Sequence, residues 1–536
     1  MAGPVTDAGG GSRPVARSAA GMGAAAAVSR GFGAVRVLVI AGVLGTTYLG
    51  NTFQSANSVS NVLFELLAAG ALSAVLVPTF VRHLDAGDQE GAEILAGELL
   101  GVALLVLGAV SLVGMLASPW IADLLTAAVS DPQVASAQRE LTTFLLWFFI
   151  PQVVLYGLGT ISIAVLNARR SFVVPAVAPI GNTVVMVAFL LCFRVVAGAD
   201  PGLTLSLGEK LLLAAAGTLG VVAFVAVPSV AVWRAGFKLR PRFTRSHAGL
   251  RDVVSLSGWA SLQHGVAALL MGAAIIAGGA VEGGVVAYQV GWFFFLAPYG
   301  IIAQPIHTTI LPELTIEHGE GDDRAFTHSV RWALDSMCVL LVPITALCLA
   351  LSVPAMSVLA FGQANDSGGV ELLAAALASL GLGLLPYGAF FMLARASYVH
   401  GDSRTPAMAG VVGAAIGVAV MAGAAVLAKG TSLVAWLGLA HTLAFVVGSA
   451  LLVVVFRRRL GEWVLPPLLL PSTAAAALAG GVAWLGYGWW SPSGKLGDVV
   501  ALVTLSALAL GLYYGVVRLF GVEVTRRLPR SGAAAS

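Results

Sequence analysis

Charge is what this sequence has least of. Only 10% of its 536 residues are Asp, Glu, Lys or Arg, against roughly a quarter in an ordinary soluble domain, too few to cover a soluble surface. Cysteine is scarce too: Cys192, Cys338 and Cys348 lie in apolar runs without metal-ligand spacing, which excludes a disulfide scaffold. Among the 29 basic residues only Lys210, Lys238, Lys429 and Lys495 are lysine, a composition typical of GC-rich bacterial coding. A net charge of +3 is small for this length and disfavours a nucleic-acid partner. There is no alternation of apolar and polar residues over strand-length segments, as an outer-membrane barrel would need. No Walker loop, nucleophile elbow or His/Asp/Glu set with metal spacing occurs, so no cofactor is implied and the chain reads as a carrier, not an enzyme.

What is abundant is apolar. Hydrophobic residues make up 58% of the chain and glycine contributes 64, in runs of about 20 residues or more, enough to cross a hydrocarbon core about 30 Å thick. The expected fold is an all-α polytopic membrane protein. Apolar runs read against Pro, Gly and charge punctuation place fourteen transmembrane helices near 33–50, 54–81, 92–117, 141–166, 172–197, 209–233, 252–279, 284–311, 329–360, 371–397, 406–428, 431–456, 464–488 and 498–520. Residues 1–27 lack the apolar centre of a signal peptide and are expected to be a disordered cytoplasmic tail. An N-lobe over 28–236, a basic linker over 237–250, a C-lobe over 251–456, a further pair of helices over 457–523 and a tail over 524–536 complete the division. With the N-terminus inside, only Arg139, Arg194, Lys210, Lys429 and Lys495 fall outside, and the other 24 of the 29 basic residues lie on the cytoplasmic side, as bacterial inner-membrane proteins require. Both termini are therefore expected in the cytoplasm.

The first twelve spans contain a repeat. Val75-Leu76-Val77-Pro78 ends span 2 and Thr309-Ile310-Leu311-Pro312 ends span 8, with the prolines 234 residues apart. Pro151 and Pro386 are 235 apart, and Pro175 and Pro406, which follow the turns Asn167–Arg170 and Gly401–Arg404, are 231 apart. Because six spans return the chain to the same side, two parallel six-helix repeats are expected, the arrangement in which transporters bind substrate between halves and rock them. Gly70, Pro78, Pro151, Pro175, Pro312, Arg404 and Pro406 are candidate structural or gating positions.

Polar residues inside spans are costly and are functional candidates by default. Arg36 lies within span 1, with Arg30 near its start. Span 2 carries Gln54, Asn57, Asn61 and Glu65 at spacings of three and four, hence on one helical face, with Asn51 just before them. Such a stripe facing two arginines suits a phosphate-bearing ligand; equally, Glu65 could pair with Arg36 while the amides lock helices together. The second half offers His264 and Gln289 as further binding candidates. His307 reads as a packing contact, and Trp292 to Phe295 as a lipid- or helix-facing run.

Ser29-Arg30-Gly31-Phe32-Gly33-Ala34-Val35-Arg36, Asn61-Val62-Leu63, the stretch from Ala68 to Pro78, Ala164 to Ala168 with Phe172 to Ala176, Pro298-Tyr299-Gly300 with Leu311-Pro312, and Asp402 to Pro406 together resemble MurJ/MviN-type lipid II flippases over roughly residues 29–460. The superfamily also includes multidrug exporters and polysaccharide flippases. The resemblance implies two six-helix lobes around a cationic cavity lined by spans 1, 2, 7 and 8. It also implies a groove for a polyprenyl tail at spans 13 and 14. The implied cargo is lipid II, with membrane lipids and cell-wall synthesis proteins as partners, and the implied site is the bacterial inner membrane. The family pattern has acidic residues where Val37, Asn51, Ala69 and Leu296 stand, and arginines where Phe64 and Phe293 stand. A flippase for another polyprenyl-diphosphate glycan, a drug exporter of the same superfamily, or a non-transporting scaffold for wall synthesis are the alternatives this pattern leaves.

Overall fold

The computed structural model describes residues 12–65, 80–243, 262, 265–365 and 368–520, with side chains from residue 27 onward. Its first half holds α1 (Ser12–Leu44), α2 (Tyr48–Phe64), α3 (Gln89–Leu116), α4 (Ser118–Leu125), α5 (Pro132–Phe149), α6 (Gln152–Ala168), α7 (Val173–Ala197) and α8 (Leu207–Arg234). The second half holds α9 (Gly265–Gly278), α10 (Gly284–Pro298), α11 (Gln304–Glu320), α12 (Asp323–Ala350), α13 (Ser352–Leu359), α14 (Gly369–Gly381), α15 (Leu384–Val399), α16 (Arg404–Leu427) and α17 (Gly430–Leu460). Then come α18 (Leu469–Trp490) and α19 (Gly494–Leu519). The described residues contain no strand.

Among them, eleven helical segments are long and apolar enough to cross a membrane, counting α5–α6 and α10–α11 as one each, or twelve if α14 and α15, bent by 42°, form one span. The chain is a multi-pass membrane protein. The expected spans near 54–81 and 252–279 are represented by α2 and α9; of the rest, residues 66–79, 252–261, 263 and 264, with Gly70, Pro78 and His264, lie outside the described residues.

Two boundaries differ from expectation for local reasons. The helix begins at Ser12, inside the segment expected to be an irregular tail, because that segment is rich in alanine, the best helix former. The first span ends at Leu44, not near residue 50. Gly45 turns the chain in a left-handed conformation (φ +75°), open to glycine because it lacks Cβ. Thr47 then starts α2, its hydroxyl donating to the Leu44 carbonyl (2.7 Å) and accepting from the Gly50 N–H (3.2 Å), a cap that stabilises a helix by about 1 kcal/mol.

Each half buries its own core. Leu44, Phe53, Leu145, Phe149 and Phe193 interlock in the first, and Phe326, Leu334, Leu384, Phe390 and Phe456 in the second. A separate cluster, with Val37 and Ala41 of α1 against Val286 and Val290 of α10 and Leu373 of α14, joins the halves near the α1–α2 turn. Pro151 stands between α5 and α6, and the bend between α14 and α15 comes just before Pro386. The α10–α11 segment is interrupted as well, by a π-helical turn at Tyr299–Ala303, a feature frequent at functional sites.

The last two helices dock on α12 and α13 through small residues, Ala475, Ala479 and Ala501 among them. Polar pins fix them. Asp335 accepts from the Leu468 N–H (3.1 Å), the Tyr513 hydroxyl donates to the Val339 carbonyl (2.9 Å), and buried Asp498 accepts from Ser357 (2.6 Å) and Tyr487 (2.9 Å).

Candidate functional site

The polar stripe of α2 faces the gap between the halves. Two connected chambers fill that gap. The larger, about 780 Å³, is lined by Asn61, Phe64 and Glu65 from α2, Tyr156 from α6, Gln289, Trp292, Leu296 and Tyr299 from the second half, and Tyr387, Arg395 and Tyr398 from α15. The smaller, about 240 Å³, is lined by Arg36, Gln54, Asn57, Asn61, Tyr156, Asn182 and Gln289, among others. Ser58, Asn61, Tyr156, Phe224 and Gln289 border both. Where they meet, Gln289 Nε2 donates to Ser58 Oγ (2.6 Å), and Ser58 donates back to the Gln54 carbonyl (2.8 Å). Behind the stripe, Ser60 donates to Gln152 (3.2 Å) and Gln152 to Thr218 (3.2 Å), tying α2 to α6 and α8.

Arg36 is the cation of the smaller chamber. Its Nε is buried without a hydrogen-bond partner, and it makes no ion pair among the described residues. The alternative that Glu65 neutralises Arg36 is therefore not realised: Glu65 borders the larger chamber and Arg36 the smaller. Arg395 adds a second cation, likewise without an ion pair. Among the described residues, two arginines against one carboxylate give the paired chambers a positive lining, and a guanidinium away from water is compensated best by an anion with several acceptor oxygens.

Two sequence candidates stand elsewhere. Asn51 does not border either chamber; it is 1% exposed and holds the second half at the α1–α2 turn. Its Nδ2 donates to the Val281 carbonyl (2.8 Å), while Oδ1 accepts from the N–H groups of Val285 (3.0 Å) and Val286 (3.4 Å). Gln363 adds a contact at the same end, donating to the Ala199 carbonyl (2.7 Å). Arg30 lies 14 residues before the end of α1, about 21 Å along the helix, and reaches Gln304 Oε1 (3.4 Å). Its guanidinium lies against Gly300 in the π-helical turn, where a Cβ would stand 2.5 Å from Nη2. Phe293, where the family pattern has arginine, packs near Gly33. The halves thus touch at both ends of the chambers. His264 is outside the described residues.

Arg395, Tyr156 and Trp292 are cavity residues that sequence reasoning missed. The orientation rule accounts for Arg395 as a cytoplasmic cation, although the expected span near 371–397 encloses it, a signal that it lies deeper than a loop residue. His307 is a packing residue, its Nε2 on the Gly388 carbonyl (3.1 Å). Pro175, Pro312 and Pro406 lie within α7, α11 and α16. Outside the spans, Asp402 organises the turn into α16: it accepts from the Thr405 N–H (2.9 Å) and hydroxyl (2.6 Å) and pairs with Arg459. Burial alone would raise its pKa, but these donors outweigh it and hold the carboxyl down at about 2. Next to it, His400 stacks on His318 (4.3 Å between centroids), and burial, with His318 and Arg459 nearby, lowers its pKa.

Comparison with known proteins agrees with this architecture. A probable lipid II flippase MurJ from Rhizobium tropici is 28% identical over 512 residues, 93% of each chain. The lipid II flippase MurJ of Burkholderia cenocepacia is 26% identical over 391 residues, 71% of this chain and 72% of that one. Among solved structures, a lipid II flippase MurJ in an inward closed conformation superposes with a TM-score of 0.74 at 16% identity, covering 93% of this chain and 98% of that one. An inward-facing multidrug resistance MATE family transporter of the MOP superfamily gives 0.64 at 16% identity, covering 80% and 94%. Residues 40–505 match the family described as lipid II flippase MurJ, and the chain belongs to that family of membrane transporters.

Proposed function

We propose that this protein moves lipid II, the polyprenyl-diphosphate-linked peptidoglycan precursor, from the inner to the outer leaflet by alternating access. The observation that carries the reading is Arg36: a cation inside a membrane span, facing a chamber, with no ion-pair partner among the described residues. A diphosphate supplies the missing charge, and Arg395 gives it a second approach from the facing half. The curated relatives named for lipid II flipping supply the cargo.

In this reading the α1–α2 turn lies outside and both termini inside, as the distribution of basic residues favours. Asn51 and Gln363 then form the outer contact and Arg30 with Gln304 the inner one, and the two separate in turn. Fourteen spans in two six-helix repeats plus α18 and α19 are the architecture proposed, supported by the paired interruptions at Pro151 and before Pro386. The last two helices would carry the lipid tail beside the bundle, with cell-wall synthesis proteins receiving the cargo outside. Moving negative charge outward is favoured by an inside-negative potential at about 2.3 kcal/mol per charge per 100 mV, so about two uncompensated charges supply 4 to 5 kcal/mol without ATP.

The test is translocation of labelled lipid II in vesicles containing the purified protein, together with rescue of cells depleted of their lipid II flippase. Wild type should flip and rescue; Arg36→Ala should insert normally yet flip at least about tenfold more slowly, as expected for a lost charged hydrogen bond. Wild-type vesicles that do not flip and cells that are not rescued would overturn the proposal and favour a scaffold.

A further inference from the structure

We infer that the aromatic wall presented by the second half is a sugar-stacking platform, which recognises the glycan of the cargo separately from its diphosphate. This rests on the flippase reading above. Trp292, Tyr299, Tyr387 and Phe391 all border the larger chamber. They form one contiguous wall around Tyr387, which meets Trp292 (5.9 Å between ring centroids) and Tyr299 (4.7 Å) edge to face, at 82° and 87° between ring planes, and Phe391 (4.8 Å) at 55°, so that each ring offers a sugar its own surface. The wall is backed by buried rings that fix it. Phe295, 2% exposed, stacks on Trp292 at 5.0 Å, and His441 lies 4.6 Å from the same indole, held through Nδ1 by the Tyr288 hydroxyl (2.7 Å).

The chemistry singles out a carbohydrate. One face of a pyranose carries C–H bonds with partial positive charge, which complement the negative face of an aromatic ring; its hydroxyl and acetamido groups need donors and acceptors around the rim. The chamber provides both, since Ser58, Asn61, Glu65, Gln289 and Arg395 border it with the aromatic wall. A polyprenyl tail has no use for those amides, and a bare diphosphate has none for the rings. At about 780 Å³ the chamber falls within the roughly 300–1,000 Å³ of sites that engulf a ligand. Arg36 lies in the adjoining chamber, so glycan and diphosphate are read on separate surfaces.

The two recognition elements are separable by ligand. The full-length protein in nanodiscs would be titrated with lipid II and with undecaprenyl diphosphate, which lacks sugar. Wild type should bind lipid II the more tightly. Trp292→Leu should weaken lipid II about tenfold, in line with the loss of one stacking surface, and leave undecaprenyl diphosphate unchanged; Trp292→Phe should restore most of the loss. Arg36→Ala should weaken both. If Trp292→Leu is not monodisperse, Tyr299→Leu on the same wall is read in the same way. Equal wild-type affinity for the two ligands, or a Trp292→Leu effect that is absent or common to both, overturns the platform while leaving the flippase reading intact. Wild type that binds neither ligand overturns both.

Discussion

The carboxamide of Asn51 accepts from the Val285 N–H at 3.0 Å, at the start of the helix that carries Gln289 and Trp292. With Val281 and Val286 it engages one carbonyl and two N–H groups of the opposite half, and an amide matches that set because it both donates and accepts. Asn51→Ala takes their side-chain partner from the buried Val285 and Val286 N–H groups, at about 1–3 kcal/mol, while the Val281 carbonyl keeps the Gly284 N–H (3.0 Å). A cysteine introduced at Asn61 should then react with an impermeant thiol reagent from the α1–α2 turn side at least about tenfold faster. Asn51→Asp keeps the two acceptor contacts but sets a carboxylate against the Val281 carbonyl, so it should also loosen this end, and more so as pH rises.

At the other end the contact depends on a missing side chain. A Cβ on Gly300 would stand 2.5 Å from Arg30 Nη2, so Gly300→Val should drive the guanidinium off the π-helical turn. Labelling of the same cysteine from the inner side should quicken, with little change in melting temperature, because the displaced group is exposed.

The turn before α16 should make stability acid-sensitive. Asp402 is held at about 2 in the folded protein, below the roughly 3.9 of a free aspartate; its contribution is complete above that value and disappears as pH falls toward about 2. His400, whose pKa is lowered, acts in the same direction at higher pH: below about 6.5 the unfolded chain takes up a proton that the folded one resists. Thermal melts from pH 7 to 2.5 should show the advantage of wild type over Asp402→Asn shrinking only below about pH 4.

The C-terminal helix pair should respond to Asp498. Its carboxylate takes the hydroxyls of Ser357 and Tyr487, so Asp498→Ala leaves both without an acceptor and should destabilise the docking of α18 and α19 by about 1–3 kcal/mol. Protease cleavage in the 461–468 linker should accelerate, while Asp498→Asn, whose single carbonyl oxygen can accept from only one of the two hydroxyls, should fall between alanine and wild type.

The spans were legible because a membrane imposes one dominant signal, a long apolar run, and Arg36 was legible because it interrupts one. The α2 stripe followed from helical spacing alone, and Gln54, Asn57, Asn61 and Glu65 do border the chambers. Asn51, on the same helix, does not. Its partners are backbone groups over two hundred residues away, and backbone acceptors leave no trace in residue identity. Arg395 was hidden for the opposite reason: an orientation rule already explained it, so nothing called for a second role. Trp292 sits in an aromatic run that composition cannot divide into lipid-facing, core and cavity positions, because only tertiary packing separates it from the buried Phe295.

One hydrogen bond ties occupancy to movement. Gln289 belongs to one half and Ser58 to the other, and their 2.6 Å contact stands on the boundary between the large chamber and the pocket of Arg36. In the proposed reading, an anion crossing that boundary parts the two side chains and offers its own oxygens to them. The cargo would then take the place of a stitch between the halves, the empty carrier staying sewn together and the loaded one being free to come apart.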